Sequence, residues 1–478
     1  MASAKSGRAS VVERLREALV GINVEVPLLS GQRRRYVNLD NASSTPTFRP
    51  IQDKVNEFLE YYSNVHRGTG FKSQVASWVF DEARRAIARF VRADLEHDTV
   101  IFTKNTTESL NKLSRLYPFP ADAIILTTMM EHSSNELPWR RCGRVVHAGL
   151  RPDGSLDLDD FAAKLKENAG RVALVTVTGA ANVSGWVNPV HEIARFAHEA
   201  GARIVVDAAQ LAAHRPIDMK PHDHPEHLDF VAFSAHKMYA PYGAGVLVGD
   251  RQSLLRDEPE TVGGGTVDLM TLDAAYWRDL PQREEAGTPD VVGIVALAAA
   301  CRLLEAVGWD AITEHEDALT RYALERLARV PGLRILGKQD GTDLADRLGV
   351  IAFSLADFPH ALVAAILAYE GGIGVRNGCF CAHPYTLCLL GVPLEQAVRV
   401  GEQMRMKDRG NLPGTVRASI GLYNNREDID ALCDCLEMIA RREYQGSYTL
   451  CRETGSYVPD GVDCFDLAGC FALDPRLP

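Results

Sequence analysis

Between Thr99 and Val248, short apolar runs rich in β-branched residues alternate with longer stretches whose apolar positions recur at helical spacing. The runs are Thr99 to Thr103, Ala123 to Thr127, Arg171 to Val177, Ala202 to Asp207, Asp229 to Phe233 and Gly245 to Val248. This alternation predicts βαβ units and a mostly parallel sheet with helices on both faces. Ligands of such sheets bind beyond the carboxyl ends of the strands. After Gly287-Thr288-Pro289 the pattern changes. Val291 to Val307 and Ala311 to Val330 read as two long helices. Short runs at Leu333 to Leu336, Gly349 to Leu355, Ile373 to Arg376 and Gly414 to Ile420 follow, with helices from Pro359 and from Arg426 to Arg442. These predict a smaller α+β domain with a partly antiparallel sheet.

Elsewhere the pattern is weaker. Val11, Val12, Leu15 and Leu19 recur at helical spacing before an arginine-rich link, Arg33 to Arg35. An extended segment from Tyr36 runs into a polar turn, and helices follow through Tyr62 and from Ser73 to about Val91. Leu390 to Gly414 is polar and charged and reads as a loop or short helix. Beyond Gln445 there is little periodicity. The expected fold class is therefore α/β, a large mostly parallel sheet domain plus a smaller α+β domain. We expect residues 36–290 to form the large domain, 1–35 and 291–446 the small one, and 447–478 an irregular tail with Cys451, Cys464 and Cys470.

Composition narrows the class. The 478 residues, 46% hydrophobic and 24% charged, suit about two or three ordinary globular domains. A net charge of −11 argues against nucleic acid as the main partner. No window approaches the roughly 20 apolar residues of a membrane span; the longest, Val291 to Cys301, is cut by Arg302. Met1 to Val11 carries two basic residues without a following apolar stretch, so no secretory signal is expected. The ten cysteines are scattered, which fits free thiols in a reducing cytoplasm.

Several strand ends carry chemistry. Lys237 follows the buried run ending at Phe233, and Asp207 ends Ile204-Val205-Val206. A lysine amine can form a Schiff base with pyridoxal 5'-phosphate, and an aspartate can pair with its pyridinium nitrogen. Taken alone, Lys237 also reads as a surface lysine and Asp207 as half of a structural salt bridge. Thr106-Thr107-Glu108 opens a helix after a strand. That suits a phosphate, through free N–H groups and hydroxyls, and equally suits a plain N-cap. Gln210 could meet the cofactor's phenolic oxygen or simply begin a helix. His132 could stack on a planar ring; it, His66 and His236 also fit structural roles. Cys379 and Cys381, near Arg376, suit reactive sulfur or two inert thiols, and their spacing fits no zinc pair. The tail cysteines match no metal pattern, and no metal site is expected. Arg417, a charge in a strand-like run, could clamp a carboxylate or bridge the sheet.

Taken in order, the motifs resemble a known family. They are Leu39-Asp40-Asn41-Ala42-Ser43, Val65-His66-Arg67-Gly68, Asn105-Thr106-Thr107-Glu108, Glu131-His132-Ser133-Ser134-Asn135, Asn182-Val183-Ser184-Gly185, Asp207-Ala208-Ala209-Gln210, Ser234-Ala235-His236-Lys237, Ala286-Gly287-Thr288-Pro289, Val375-Arg376-Asn377-Gly378 with Cys381, and Val416-Arg417-Ala418-Ser419. From about Asn38 to Arg442 the chain resembles class V aminotransferase-like pyridoxal phosphate enzymes of fold type I, in the cysteine desulfurase and selenocysteine lyase branch.

The resemblance implies roles. Lys237 carries the cofactor, Asp207 meets its ring nitrogen, Gln210 its phenolic oxygen, and His132 stacks on the ring. Thr106, Thr107, Ser234 and His236 hold the phosphate. Thr288 reaches the phosphate of a second subunit, implying a homodimer. Asn182, Arg376 and Arg417 bind the substrate carboxylate side, and His66 lines the pocket. Cys381 takes sulfur from L-cysteine or a related thiol or selenol amino acid, alanine leaves, and the sulfur passes to a protein or small-molecule acceptor.

Three features depart from the simpler desulfurases. Gly378-Cys379-Phe380-Cys381 is similar to the desulfurase domain of molybdenum cofactor sulfurases, which points to Cys381 and leaves Cys379 open. The segment Leu390 to Gly414 and the tail are additions, and both suggest a dedicated acceptor or specialised substrate. The alternatives are another pyridoxal phosphate reaction on this scaffold (C–S lyase, epimerase or aminotransferase), which needs no Cys381, and a non-catalytic scaffold.

Overall fold

The computed structural model describes residues 12–66, 68–461 and 467–474. Val11, Arg67 and Cys464, named above, lie outside them. The large sheet has seven strands: β1 (Asp98–Thr103), β2 (Ile124–Thr128), β3 (Arg144–Ala148), β4 (Val172–Thr178), β5 (Arg203–Asp207), β6 (Phe230–Ser234) and β7 (Gly245–Asp250). Their spatial order is β1-β7-β6-β5-β4-β2-β3. The pairings β2 with β3, β2 with β4, β4 with β5 and β5 with β6 are parallel. Only β7 runs against its neighbours β1 and β6. β1 and β6 therefore point the same way, and their carboxyl ends share one edge with those of β4 and β5. The inner strands read as unbroken apolar runs because both faces are covered; every residue of β2, β6 and β7 is buried.

The helices complete the layers. α1 (Phe71–Phe90) packs on α3 (Val291–Val307), whose Val291, Ile294, Leu297 and Leu304 join the core of the large sheet. α2 (Thr106–Leu116) follows β1 directly. α4 (Trp309–Leu327) leaves α3 at Gly308, whose φ of 87° suits glycine, with a bend of 81° between the helices. Among the described residues no single helix is long and apolar enough to cross a membrane.

A second sheet holds β8 (Leu333–Leu336), β9 (Val350–Leu355), β10 (Arg376–Gly378) and β11 (Thr415–Ser419) in the order β8-β9-β11-β10. All its pairings are antiparallel, where the sequence suggested a partly antiparallel sheet. The parallel element is separate: Ile373–Gly374 pairs with Val37–Asn38. Its core gathers Leu39, Leu324, Phe353, Ile366 and Leu432, so the segment around Leu39 binds the two halves of the chain.

Of the two weakly periodic segments, one falls within its reading as a loop or short helix and the other departs from its reading. Leu390 to Gly414 contains a 12-residue helix, α5 (Leu394–Arg405), and none of its residues is buried. The tail, expected to be irregular, folds Tyr448–Cys451 against Ser456–Pro459 as a hairpin turning at Gly455, with φ 76°. Contacts from outside the segment fix it: Tyr448 Oη donates to Glu370 Oε1 at 2.9 Å.

Candidate active site

Three strand ends meet at one cleft. β1 passes through Lys104 and Asn105 into α2, β5 ends on Asp207, and β6 ends on Ser234 before the turn Ala235–Lys237. The cleft, about 240 Å³, is lined by Thr106, Thr107, His132, Asn182, Asp207, Gln210, Ser234, His236, Lys237, Arg376, Cys381 and Arg417. These are most of the residues expected from the sequence. His66 and Thr288 are not among them. They share a second pocket of about 270 Å³ with Gly265, Arg278 and Glu285. The expectation that His66 lines the cleft is thus corrected within one chain. Its φ of 70° turns it onto Phe80, with ring centroids 5.2 Å apart. Its Nε2 is buried without a partner among the described residues.

The start of α2 is built for an anion. Asn105 accepts the Glu108 N–H at 3.0 Å as N-cap. Thr106 N–H donates to Ser234 Oγ at 2.7 Å, and the Thr106 and Ser234 hydroxyls lie 2.6 Å apart. Thr107 Oγ1 and Ser134 Oγ lie 2.7 Å apart. Helix dipole and hydroxyls converge there. β7 passes beneath because Gly245 has no side chain; a Cβ there would lie 2.5 Å from Asn105 Cα.

Lys237 and Asp207 sit deeper. Burial draws the Lys237 amine down to about 8, against the pull of Asp207. The carboxylate of Asp207, a residue 4% exposed, accepts the Ala209 N–H at 2.9 Å, its one side-chain hydrogen bond among the described residues. Burial raises its carboxyl, so an ionised Asp207 calls for a cation beside it. Gln210 lines the same wall with Nε2 donating to Ala42 O at 2.7 Å, which leaves the second amide N–H for a ligand.

His132 is set by a buried network below it. Glu131 accepts Thr128 Oγ1 and Asn135 Nδ2, both at 2.6 Å, and the Thr178 N–H at 3.0 Å. Burial pushes Glu131 up to about 8. His132 Nδ1 accepts the Ser134 N–H at 3.1 Å. Burial, then the charge of Lys237, takes its imidazole down to about 4, so the ring is neutral near pH 7. Burial does the same to His236.

Cys381 is an exposed free thiol on a tightly held loop. Phe380 and Cys381 have φ of 53° and 57°, the left-handed region that non-glycine residues rarely adopt. Asn182 Nδ2 donates to Phe380 O at 2.7 Å, and Ser133 N and Oγ both donate to Cys381 O at 2.7 Å. Cys379 points elsewhere: its Sγ donates to Pro413 O at 3.2 Å, and burial pushes its thiol up to about 11. The two cysteines of the loop therefore face different surroundings.

Arg417, 2% exposed, donates to Asp40 Oδ1 at 3.0 Å, Ser43 Oγ at 2.8 Å and Asn182 O at 2.9 Å. Its guanidinium lies over the Phe380 ring, 4.7 Å from the centroid. Arg376 is exposed, 4.0 Å from Asp40. The sequence reading named neither Asp40, Ser133 nor Ser134 as a site residue. All three lie inside motifs it quoted, but nothing in their spacing tells that they bond to Arg417, Cys381 and Thr107.

A half-buried lysine and a buried aspartate under a hydroxyl-lined helix start, at the edge of a mostly parallel sheet, define a pyridoxal-phosphate-type α/β fold. The sequence model of the aminotransferase class-V family matches residues 37–432, and the chain belongs to that family. It is 38% identical over 435 residues to a probable cysteine desulfurase of Streptomyces coelicolor, covering 87% of this chain and 96% of that one. The apo cysteine desulfurase of Thermococcus onnurineus NA1 aligns with a TM-score of 0.74 at 32% identity, over 85% of this chain and 95% of that one. A cysteine desulfurase of Escherichia coli, solved as its S-sulfonic acid, aligns with a TM-score of 0.70 at 28% identity, over 86% and 96%. Enzymes of this family depend in general on pyridoxal phosphate.

Proposed function

We propose that this chain is a pyridoxal 5'-phosphate-dependent cysteine desulfurase in which Cys381 receives the sulfur. One observation carries the reading: the exposed Cys381 thiol and the partly neutralised Lys237 amine line the same cleft. The residues present fit the cofactor. Asp207 is a buried carboxylate that needs a cation, Lys237 has no hydrogen bond or ion pair among the described residues, and Thr106, Thr107, Ser234 and His236 surround an anion seat. Gln210 has an N–H to offer, and the neutral His132 ring can stack. When bound, the cofactor serves as an electron sink for the substrate's α-carbon.

The chain supplies the rest. Lys237, drawn down to about 8, can take and return a proton at the α-carbon near neutral pH. Arg376 and Arg417 give the cleft a positive end for the substrate carboxylate, which competes with Asp40 for Arg417. Asn182 has a second part in this reading, holding Phe380 O and so the thiol of Cys381 toward the cleft. The Cys381 thiolate attacks the substrate's sulfur to form a persulfide, the C–S bond breaks with its electron pair left on carbon, and that carbon takes a proton and leaves as the methyl group of alanine. Sulfur then passes to a protein or small-molecule acceptor. Thr288 and His66, in the second pocket, complete the cleft of a second subunit in a homodimer. The free thiols fit a reducing cytoplasm.

The test is to incubate cofactor-loaded protein with L-cysteine and measure alanine and sulfide. Both should form, and Cys381→Ala should abolish both while the cofactor absorption persists. Absence of both products from a fully loaded enzyme sinks the reading.

A further inference from the structure

At the end of the large sheet away from the cleft, β1 begins on Asp98, and the link between β5 and β6 folds His222 and His227 against it. The ligand-capable atoms of the three side chains lie within 4.8 Å of one another. His222 Nε2 is 3.0 Å from Asp98 Oδ1, and the two imidazoles face each other with centroids 4.2 Å apart. Asp98 is fixed from behind: its Oδ2 accepts the Asp94 N–H at 2.9 Å.

His227 is the telling residue. It is 1% exposed. Its Nδ1 faces two backbone carbonyls, Met219 O and Lys220 O, each at 2.8 Å. Carbonyls only accept, so Nδ1 carries the proton and Nε2 is a bare lone pair. That Nε2 is buried and has no hydrogen-bond partner among the described residues. A His222–Asp98 hydrogen bond accounts for those two side chains and leaves His227 Nε2 unexplained. A buried acceptor without a donor is unfavourable. A cation satisfies it. An Nδ1–H held by a backbone carbonyl, with Nε2 free, is the arrangement that orients a metal-binding histidine.

We propose that Asp98, His222 and His227 form a metal site for a divalent transition ion, with Zn²⁺ the ion the donors fit best. Two imidazole nitrogens and one carboxylate oxygen suit Zn²⁺ and exclude a Ca²⁺ or Mg²⁺ preference, since those ions take oxygen ligands. His222 Nε2 and Asp98 Oδ1, 3.0 Å apart, need to open by only a few tenths of an ångström to reach the roughly 3.3 Å edge of a tetrahedron with bonds of about 2.0–2.1 Å. A fourth position is left for water. The partial exposure of His222 gives the ion a way in. The site ties the β5–β6 link to the first residue of β1, far from the reacting groups, so its effect is on stability. Sequence spacing could not show it: His222 and His227 come from one loop, and Asp98 lies more than a hundred residues earlier.

The test uses the full chain with its cofactor. After chelation and dialysis, Zn²⁺ is titrated in by calorimetry and the thermal midpoint measured. One Zn²⁺ per chain should bind at this site and raise the midpoint by about 2–5 °C at saturation. His222→Ala and His227→Gln should each weaken binding by roughly 100-fold or more, and Cys381→Ala should leave it unchanged. Co²⁺ in place of Zn²⁺ should give ligand-field bands without thiolate charge transfer, which separates this site from the cysteines whether or not a variant folds. The proposal is overturned if no Zn²⁺ binds, if both histidine variants bind as the parent does, or if the bound Co²⁺ shows thiolate ligation.

Discussion

Asn182→Ala removes one hydrogen bond and tests how Cys381 is presented. The wild-type loop holds Phe380 and Cys381 at positive φ, and non-glycine residues there cost of order 1–3 kcal/mol each. Three donors oppose that strain: Asn182 Nδ2 on Phe380 O, and Ser133 N and Oγ on Cys381 O. Deleting the Asn182 amide leaves the Phe380 carbonyl without its partner, worth about 1–3 kcal/mol. That lowers the population of the presented loop by roughly 5- to 150-fold. Ser133→Ala removes only one of two donors to Cys381 O, worth about 0.5–1.5 kcal/mol, or roughly 2- to 12-fold. The assay is single-turnover persulfide formation from L-cysteine, with cofactor absorption recorded alongside. The rate should fall in the order wild type, Ser133→Ala, Asn182→Ala, with cofactor content unchanged. A rate for Asn182→Ala within twofold of wild type refutes the reasoning. Cofactor loss matching the rate loss refutes it too, by showing that Asn182 acts on the cofactor and not on the loop.

Other outcomes follow from the same geometry. Cys379→Ala should keep most sulfide release, because its buried thiol, pushed up to about 11, donates to Pro413 O away from the cleft; Cys381→Ala should lose it. Sulfide release read for both variants checks this. Lys237 in the apo-protein binds its proton less tightly folded than unfolded, since burial draws it down to about 8. The unfolded chain then holds the extra proton between about pH 8 and the ordinary lysine range, and stability rises with pH across that window. Lys237→Met apo-protein should accordingly melt higher than wild type at pH 7, with the advantage fading toward pH 10 in paired thermal melts. Arg84→Ala should destabilise by about 3–5 kcal/mol in denaturant titration, because it strands the Glu285 carboxylate that Arg84 meets at 2.9 and 3.0 Å.

How much of this was legible in the sequence follows from where each residue sits. Asp207, Ser234 and Thr106 come at or just after the ends of apolar runs, and parallel strands must deliver their ends to one edge. The convergence on one cleft could therefore be read from spacing. The direction of a donor could not. Asn182 looked like a substrate ligand and also bonds to the loop of Cys381; Arg417 looked like a carboxylate clamp and is already held by Asp40 and Ser43. The positive φ at Phe380 and Cys381 carries no glycine to announce it. His66 falls in a second pocket because its backbone turns at φ 70°, which a motif does not encode. α5 was left between a loop and a short helix because its apolar residues, Leu394, Val398 and Met404 among them, stay exposed in a charged stretch. The tail hairpin is tied to Glu370, 78 positions earlier in the chain, which no local pattern announces.

The most direct measurement of the central claim is the fate of the substrate's sulfur atom. Loaded enzyme is mixed with an equivalent of L-cysteine, quenched, alkylated and mapped by peptide mass spectrometry. The account predicts one additional sulfur on Cys381, none on Cys379, and alanine in equal amount. Alanine and sulfide produced at the wild-type rate by Cys381→Ala, or the additional sulfur found on another cysteine, would contradict it.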